Sequence, residues 1–243
     1  MPEGPTIVIL KEEMQQFKDK EIIAVSGNTA IGKERMLHQK VTDFKSWGKH
    51  FLICFKDFTL KVHFMLFGSY RINEAKAAAP RLSLTFKNGT LFLYSCSVKY
   101  LEGNLDDIYD WATDIMNPAW DAKAARKKLK AHPDMLACDA LLNQNIFAGS
   151  GNIIKNEVLF RIHMHPLSTI GKLPPKKLTG LITETHNYAF DFLEWKKKYE
   201  LRKHWLAHTK TTCPRDHIPF IKQYLGKYNR RTFFCNICQT LYE

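Results

Sequence analysis

The hydrophobic rhythm of this chain changes twice along its length. After Pro5, the apolar positions Ile7, Leu10, Met14 and Phe17 recur every three or four residues through TIVILKEEMQQF. That spacing predicts a helix with one buried face and a proline near its first turn. From about Val41 the runs become strand-like: VTDFKSW, HFLICF, TLKVHFMLF and RLSLTFKNGTLFLYSC. In the last, Leu82, Leu84 and Phe86 alternate ahead of Asn88-Gly89, a pair suited to a type I′ hairpin turn. Strands that follow one another without helices between them predict an antiparallel sandwich or barrel. Residues 105–116 carry acidic positions and no strand pattern, and Asn117-Pro118 then breaks the chain. Beyond it the pattern is helical: DAKAARKKLKAH, DMLACDALLNQNIF, NIIKNEVLFRIHMH, and a long segment introduced by Pro174-Pro175. Between the second and third of these, Ala148-Gly149-Ser150-Gly151 leaves room only for a tight turn. The chain ends in a short tail rich in cysteine and aromatic residues.

With 243 residues and 45% hydrophobic composition, the chain can build one large or two small cores, which rules out wholesale disorder. No apolar run approaches the ~18 residues needed to cross a bilayer. MPEGPTIVILKEE has neither the basic segment nor the cleavage site of a signal peptide. The expectation is a soluble, cytoplasmic protein.

Charge divides the halves. Residues 1–117 hold 15 Lys+Arg and 14 Asp+Glu, whereas residues 118–243 hold 21 and 10. A near-neutral half joined to one of +11 points to a polyanion, most often nucleic acid, at the second half. A basic face kept for solubility is the plainer alternative.

Three candidate chemistries follow from local residue patterns. Cys235-Asn236-Ile237-Cys238 is a CxxC, and Cys213 with His217 lies upstream, 17 residues separating His217 from Cys235. Thiolates at that spacing can grip one tetrahedral Zn²⁺ as a Cys3His set, with His208 as the other histidine in reach. A redox pair is the alternative for a lone CxxC. Cys54, Cys96 and Cys138 sit alone in apolar surroundings and read as reduced core residues. Second, Asn152 starts a helix, where N–H groups and the dipole favour an anion, and Lys155 lies in the same first turn. Third, removal of Met1 would expose the secondary amine of Pro2, which can attack an aldehyde carbon, with Glu3 beside it as acid or base.

MPEGP, WGKHFL around Lys49, HFMLFG at 63–68, LLNQNIFAGSGNIIKNEVLF at 141–160 and RRTFFCNICQ at 230–239 occur in that order. Together they resemble the formamidopyrimidine-DNA glycosylase/endonuclease VIII family. The resemblance implies a bifunctional DNA glycosylase/AP lyase of base excision repair. Pro2 would attack C1′ of the damaged nucleotide, Glu3 would shuttle protons and Lys49 would contact a phosphate. Met65, Leu66 and Phe67 would fill the gap left by a flipped base, and Asn152 and Arg230 would hold phosphates. His63, on the strand entering the wedge, reads as a satisfied structural histidine. The implied fold is α+β and multidomain: an antiparallel β-sandwich with an N-terminal helix over 1–117, a helix-two-turn-helix domain over 118–208, and a zinc-binding β-hairpin over 209–243. One structural zinc ion and double-stranded DNA with oxidised bases or abasic sites are the implied partners, with the protein a monomer. The chain departs from the family at Cys213-x3-His217, where CxxC is usual. The stretch 93–103 lacks the Arg and Phe of purine-selective members, so the resemblance is nearer to the endonuclease VIII branch and to oxidised pyrimidines.

Overall fold

The computed structural model describes residues 2–243 and divides the chain into two compact units, Met1–Tyr109 and Asp110–Glu243. The division falls ahead of Asn117-Pro118, and the helical segment and the cysteine-rich tail share the second unit.

In the first unit, helix α1 (Gly4–Met14) carries Pro5 in its first turn and buries Ile7, Leu10 and Met14, the stripe its periodicity predicts. Six antiparallel strands follow: β1 (Ile22–Ser26), β2 (Asp43–Trp47), β3 (His50–Cys54), β4 (Thr59–Ile72), β5 (Leu82–Phe86) and β6 (Gly89–Leu101). They form one sheet in the order β1-β5-β6-β4-β3-β2. The layers expected of a sandwich are therefore halves of a continuous sheet that share the two long strands. Side chains from both halves, including Leu84 and Leu93 on one side and Phe51 and Val62 on the other, enter a single core with α1.

Two details differ from the sequence expectation. The strand β1 was not foreseen, because a register shift between Ile22 and Ala24 destroys its alternation. The β5–β6 turn closes on the pair Phe86 and Gly89, so Lys87-Asn88 occupy it. Neither of these has positive φ, which excludes the type I′ turn on Asn88-Gly89.

The second unit contains α3 (Ala122–Lys130), α4 (Ala137–Ala140), α5 (Asn152–Arg161) and α6 (Pro175–Lys197), followed by the hairpin β7 (Ile221–Leu225) and β8 (Arg230–Phe234). A one-turn helix α2 (Leu105–Ile108) closes the first unit. Asp121 caps α3 by accepting from Lys123 N and Ala124 N at 2.7 and 3.2 Å. The segment read as a helix over 134–147 is helical only over α4. Downstream, Asn143 Oδ1 accepts from Asn145 N at 3.0 Å and Gln144 Oε1 from Gly149 N at 3.0 Å. These side chains offer the backbone a turn in place of a helix. The core is built around Leu141, Phe147, Val158, Tyr188 and Phe192.

Candidate active site, anion site and metal centre

In the first unit, the short polar segment before α1 is drawn inward. Pro2 is half-buried, and Glu3 is fully buried as the N-cap of α1, with extended backbone at φ −121° and ψ 173°. Its carbonyl accepts the first helical bonds, from Thr6 N and Ile7 N at 2.9 and 3.3 Å. The positive end of the helix favours a carboxylate at this position.

Helix α1 lies against β2 and β3, the hairpin that carries Lys49 at its tip. Trp47 pairs with His50, leaving Gly48 and Lys49 as the two-residue turn. Gly48 has φ 53° and Lys49 does not have positive φ, the sign pattern of a type II′ turn with its glycine first. Below the turn, His50 Nδ1 lies 3.2 Å from Tyr109 Oη, and the His50 ring is 5.5 Å from Trp47 and 5.2 Å from His63. Burial, then the charges of Lys61 and His63, brings the His50 pKa down to about 4, so the ring under Lys49 is neutral at physiological pH. His63 is also held below the usual range, by burial first and then by the Lys49 charge. Its Nδ1 is buried without a hydrogen-bond partner, so it is not the fully satisfied histidine that the sequence implied.

The wedge residues sit in an interruption of the β4–β6 ladder. Phe64 pairs with Cys96 and Ser69 with Tyr94, so the four residues 65–68 face the single residue Ser95. The surplus expels Met65, Leu66 and Phe67, which are 55%, 52% and 83% exposed. Gly68 ends the excursion where a β-carbon would meet Phe64 Cβ at 2.6 Å and Ser95 O at 2.9 Å. For Met65 in particular, exposure replaces the core placement that its apolar character alone would favour.

In the second unit, α5 and β8 are joined by polar contacts. Asn152 Nδ2 donates to Arg231 O at 3.0 Å, and Asn156 Oδ1 accepts from Phe233 N at 2.9 Å. Lys155 is completely buried, its Nζ 2.7 Å from Thr232 Oγ1 and 3.4 Å from Arg231 O. The residue read from the sequence as an anion contact at the start of α5 thus has its ammonium turned onto the hairpin. Arg230, half-buried, is the first residue of that same strand, opposite Leu225. Sequence reasoning missed Glu157, a buried carboxylate that accepts from Leu206 N, Ala207 N and His208 N at 2.9, 2.9 and 2.7 Å. The only signal for it is a charged residue on the apolar face of a helix.

Among the described residues, Cys213, Asp216, Cys235 and Cys238 bring four ligand atoms within 4.8 Å of one another. Cys213 Sγ and Cys238 Sγ are 3.8 Å apart, and Asp216 Oδ2 lies 3.4 and 3.1 Å from the Sγ atoms of Cys213 and Cys235. With Zn–S near 2.3 Å and Zn–O near 2.0 Å, a tetrahedron has edges of ~3.8 Å between sulfurs and ~3.5 Å from sulfur to oxygen. The donor set fits zinc in chemistry and in size. The three cysteines come together as expected, but the fourth donor in the structure is Asp216. His217 is exposed at φ 56°, its N–H bonded to Cys213 O, while His208 lies against Asn156 at 3.3 Å. Neither histidine belongs to the group.

Residues 1–97 match the formamidopyrimidine-DNA glycosylase N-terminal domain. Endonuclease 8-like 2 of Bos taurus is 34% identical over 196 residues, covering 74% of this chain and 58% of that protein. Endonuclease 8-like 3 of Mus musculus is 28% identical over 201 residues, covering 79% of this chain and 33% of that protein. The chain thus spans about a third to three-fifths of the length of these relatives. The fold matches that of Lactococcus lactis formamidopyrimidine-DNA glycosylase, solved non-covalently bound to DNA containing an abasic site, with a TM-score of 0.85, 20% identity and coverage of 98% and 99%. These matches support the formamidopyrimidine-DNA glycosylase/endonuclease VIII family: residues 1–97 carry its N-terminal domain, and the fold is that of a solved formamidopyrimidine-DNA glycosylase. The relatives are endonuclease 8-like proteins, the branch that the sequence resembles more closely.

Proposed function

We propose that the chain is a bifunctional DNA glycosylase/AP lyase that acts on oxidised bases, pyrimidines foremost, and on abasic sites in duplex DNA. The observation that carries this reading is the buried Glu3 directly after Pro2, at the start of a helix packed on the Lys49 hairpin. Once Met1 is removed, the Pro2 nitrogen attacks C1′ of the lesion nucleotide as the C1′–N bond to the base breaks, and the proton that the amine sheds passes to the departing base. Glu3 donates a proton to the opening sugar oxygen, leaving an iminium between Pro2 and C1′. The iminium acts as the electron sink when a C2′ proton is removed and the 3′ phosphate leaves by β-elimination, with δ-elimination as a further step. Lys49 holds the phosphate beside the lesion, and Met65, Leu66 and Phe67 occupy the vacated stack. Borohydride trapping on a duplex with one abasic site tests the reading, the expected product being a covalent adduct at Pro2. A catalytically silent protein that binds damaged DNA is the rival, and tight binding with no adduct would establish it.

Phosphate contacts by Arg230 and by the start of α5 at Asn152 supply affinity. Arg230→Ala is expected to weaken duplex binding and flatten the log–log salt dependence by about one unit. An unchanged slope in a salt titration would remove Arg230 from the phosphate contacts.

One structural zinc is held by Cys213, Cys235 and Cys238, and it fixes the hairpin that carries Arg230. Asp216 occupies the fourth corner, so Asp216→Asn is expected to lower zinc retention against a chelator while His217→Ala leaves it unchanged. The reverse result would show that His217 turns inward when the metal binds and that the spacing of the sequence was the better guide.

A further inference from the structure

The end of α6 breaks a local rule without any gain in packing. Tyr199 N–H bonds Lys196 O at 3.1 Å and Glu200 N–H bonds Trp195 O at 2.8 Å. This pair of bonds is the Schellman ending, in which the residue after the cap takes a left-handed backbone and is ordinarily glycine. Here that residue is Tyr199, at φ 59°. A β-carbon is strained in this region, and glycine escapes the clash. Burial does not compensate, because Tyr199 is 94% exposed, the highest value among the exposed large apolar and aromatic side chains. Local rules are broken in this way mainly at functional sites.

The surroundings give the ring a purpose. Lys196, Lys197 and Lys198 precede it and Arg202 and Lys203 follow, all exposed. Across the same stretch the opposing carboxylates are Glu194 and Glu200, and Glu200 is engaged by Lys203 at 2.9 Å. Behind the corner, Trp195 and His204 stack at 4.2 Å with 7° between their planes, which fixes the base from which Tyr199 projects.

We propose that this corner is a second nucleic-acid contact, one that takes a single-stranded segment. Tyr199 stacks on a base while Lys196, Lys197, Lys198 and Arg202 neutralise the adjoining phosphates. A ring standing clear of the surface needs a base with an open face, which an intact duplex does not offer. An acidic peptide would use the cations and leave the ring idle. The inference extends beyond the lyase reading and needs neither Pro2 chemistry nor the wedge.

The test is fluorescence anisotropy with the full chain and a labelled oligothymidylate of about 16 nucleotides. Tyr199→Gly suits the left-handed position, so it is expected to melt no lower than the parent protein. It is nevertheless expected to bind the oligonucleotide at least about 5-fold more weakly, the loss of one stacked base. Replacing Lys196, Lys197 and Lys198 with serine should flatten the salt dependence by about two units. A photocrosslink from a bromouracil-substituted oligonucleotide to Tyr199 would place the base directly. Parental affinity in Tyr199→Gly overturns the proposal, as does an equal loss for intact duplex. A loss seen for polyglutamate instead would assign the corner to an acidic protein and overturn it too. The readout is binding alone, so a protein that fails to trap an adduct yet loses oligonucleotide affinity on Tyr199→Gly leaves this inference standing.

Discussion

Pro2→Gly is expected to lose roughly 100-fold or more in borohydride-trapped adduct while binding the same abasic duplex almost as tightly as the parent protein. The variant still presents an α-amine once Met1 is removed, so the expectation rests on what proline adds to that amine. A secondary amine condenses to an iminium that is charged without further protonation, whereas a primary amine gives an imine that must first acquire a proton. The pyrrolidine ring also ties the nitrogen back to the side chain, which holds it in one direction ahead of the buried Glu3. Glycine releases that constraint, and a reacting atom displaced by about 1 Å costs on the order of 100-fold. Binding should survive because the phosphate and wedge residues lie elsewhere in the sequence. Equal loss of trapping and binding would show that Pro2 shapes the site and does not react. Full trapping, with the adduct mapping to Lys49, would move the nucleophile to the hairpin tip.

The parts of this protein legible in its sequence are those whose information is local. Helix α1 declares its buried face by spacing, and the strand-like runs VTDFKSW and HFLICF mark the hairpin whose two-residue turn holds the half-buried Lys49. The wedge was readable as three large apolar residues before a glycine. Its exposure depends on Ser95, a residue of another strand that it leaves unmatched. The burial of Lys155 is hidden from the sequence for a related reason. A lysine in the first turn of a helix ordinarily meets solvent, and here β8 folds over it and supplies Thr232. The fourth corner of the cysteine group lies between adjacent residues, and in the structure Asp216 stands beside the three cysteines while His217, with left-handed backbone, is exposed. His50 and Tyr109 are 59 residues apart, and no periodicity connects them. Spacing reveals which residues share a face, while pairings between distant segments are set by the packing of the whole unit.

Cys235→Ser carries the second large expected effect: loss of bound zinc and, with it, of most DNA affinity. Leu225 and Phe234 tie the hairpin strands to the larger core, but the end that carries the cysteines has only a small core of its own. Its own buried cluster is Phe160, Ala207, Cys213, Phe220 and Cys235, and two of these five are metal ligands. Zinc supplies on the order of 10 kcal/mol or more in small finger domains, comparable to the whole stability of a typical protein. A core of this size cannot replace that contribution. The damage should then pass to α5, because Asn152, Lys155 and Asn156 all find partners on β8. Without the strand, a buried ammonium loses its acceptors and must be exposed or released from the core. The start of α5 and Arg230 thus lose their common support together. Metal analysis should fall from one zinc per chain to well below one, and the salt slope of duplex binding should flatten by more than Arg230→Ala alone produces. The thermal transition of the first unit should be little changed, since its core draws on α1 and the six-stranded sheet. Retention of a full zinc equivalent with parental affinity would mean that Cys213, Asp216 and Cys238 suffice, and that the hairpin is held by its packing on α5 and not by the metal.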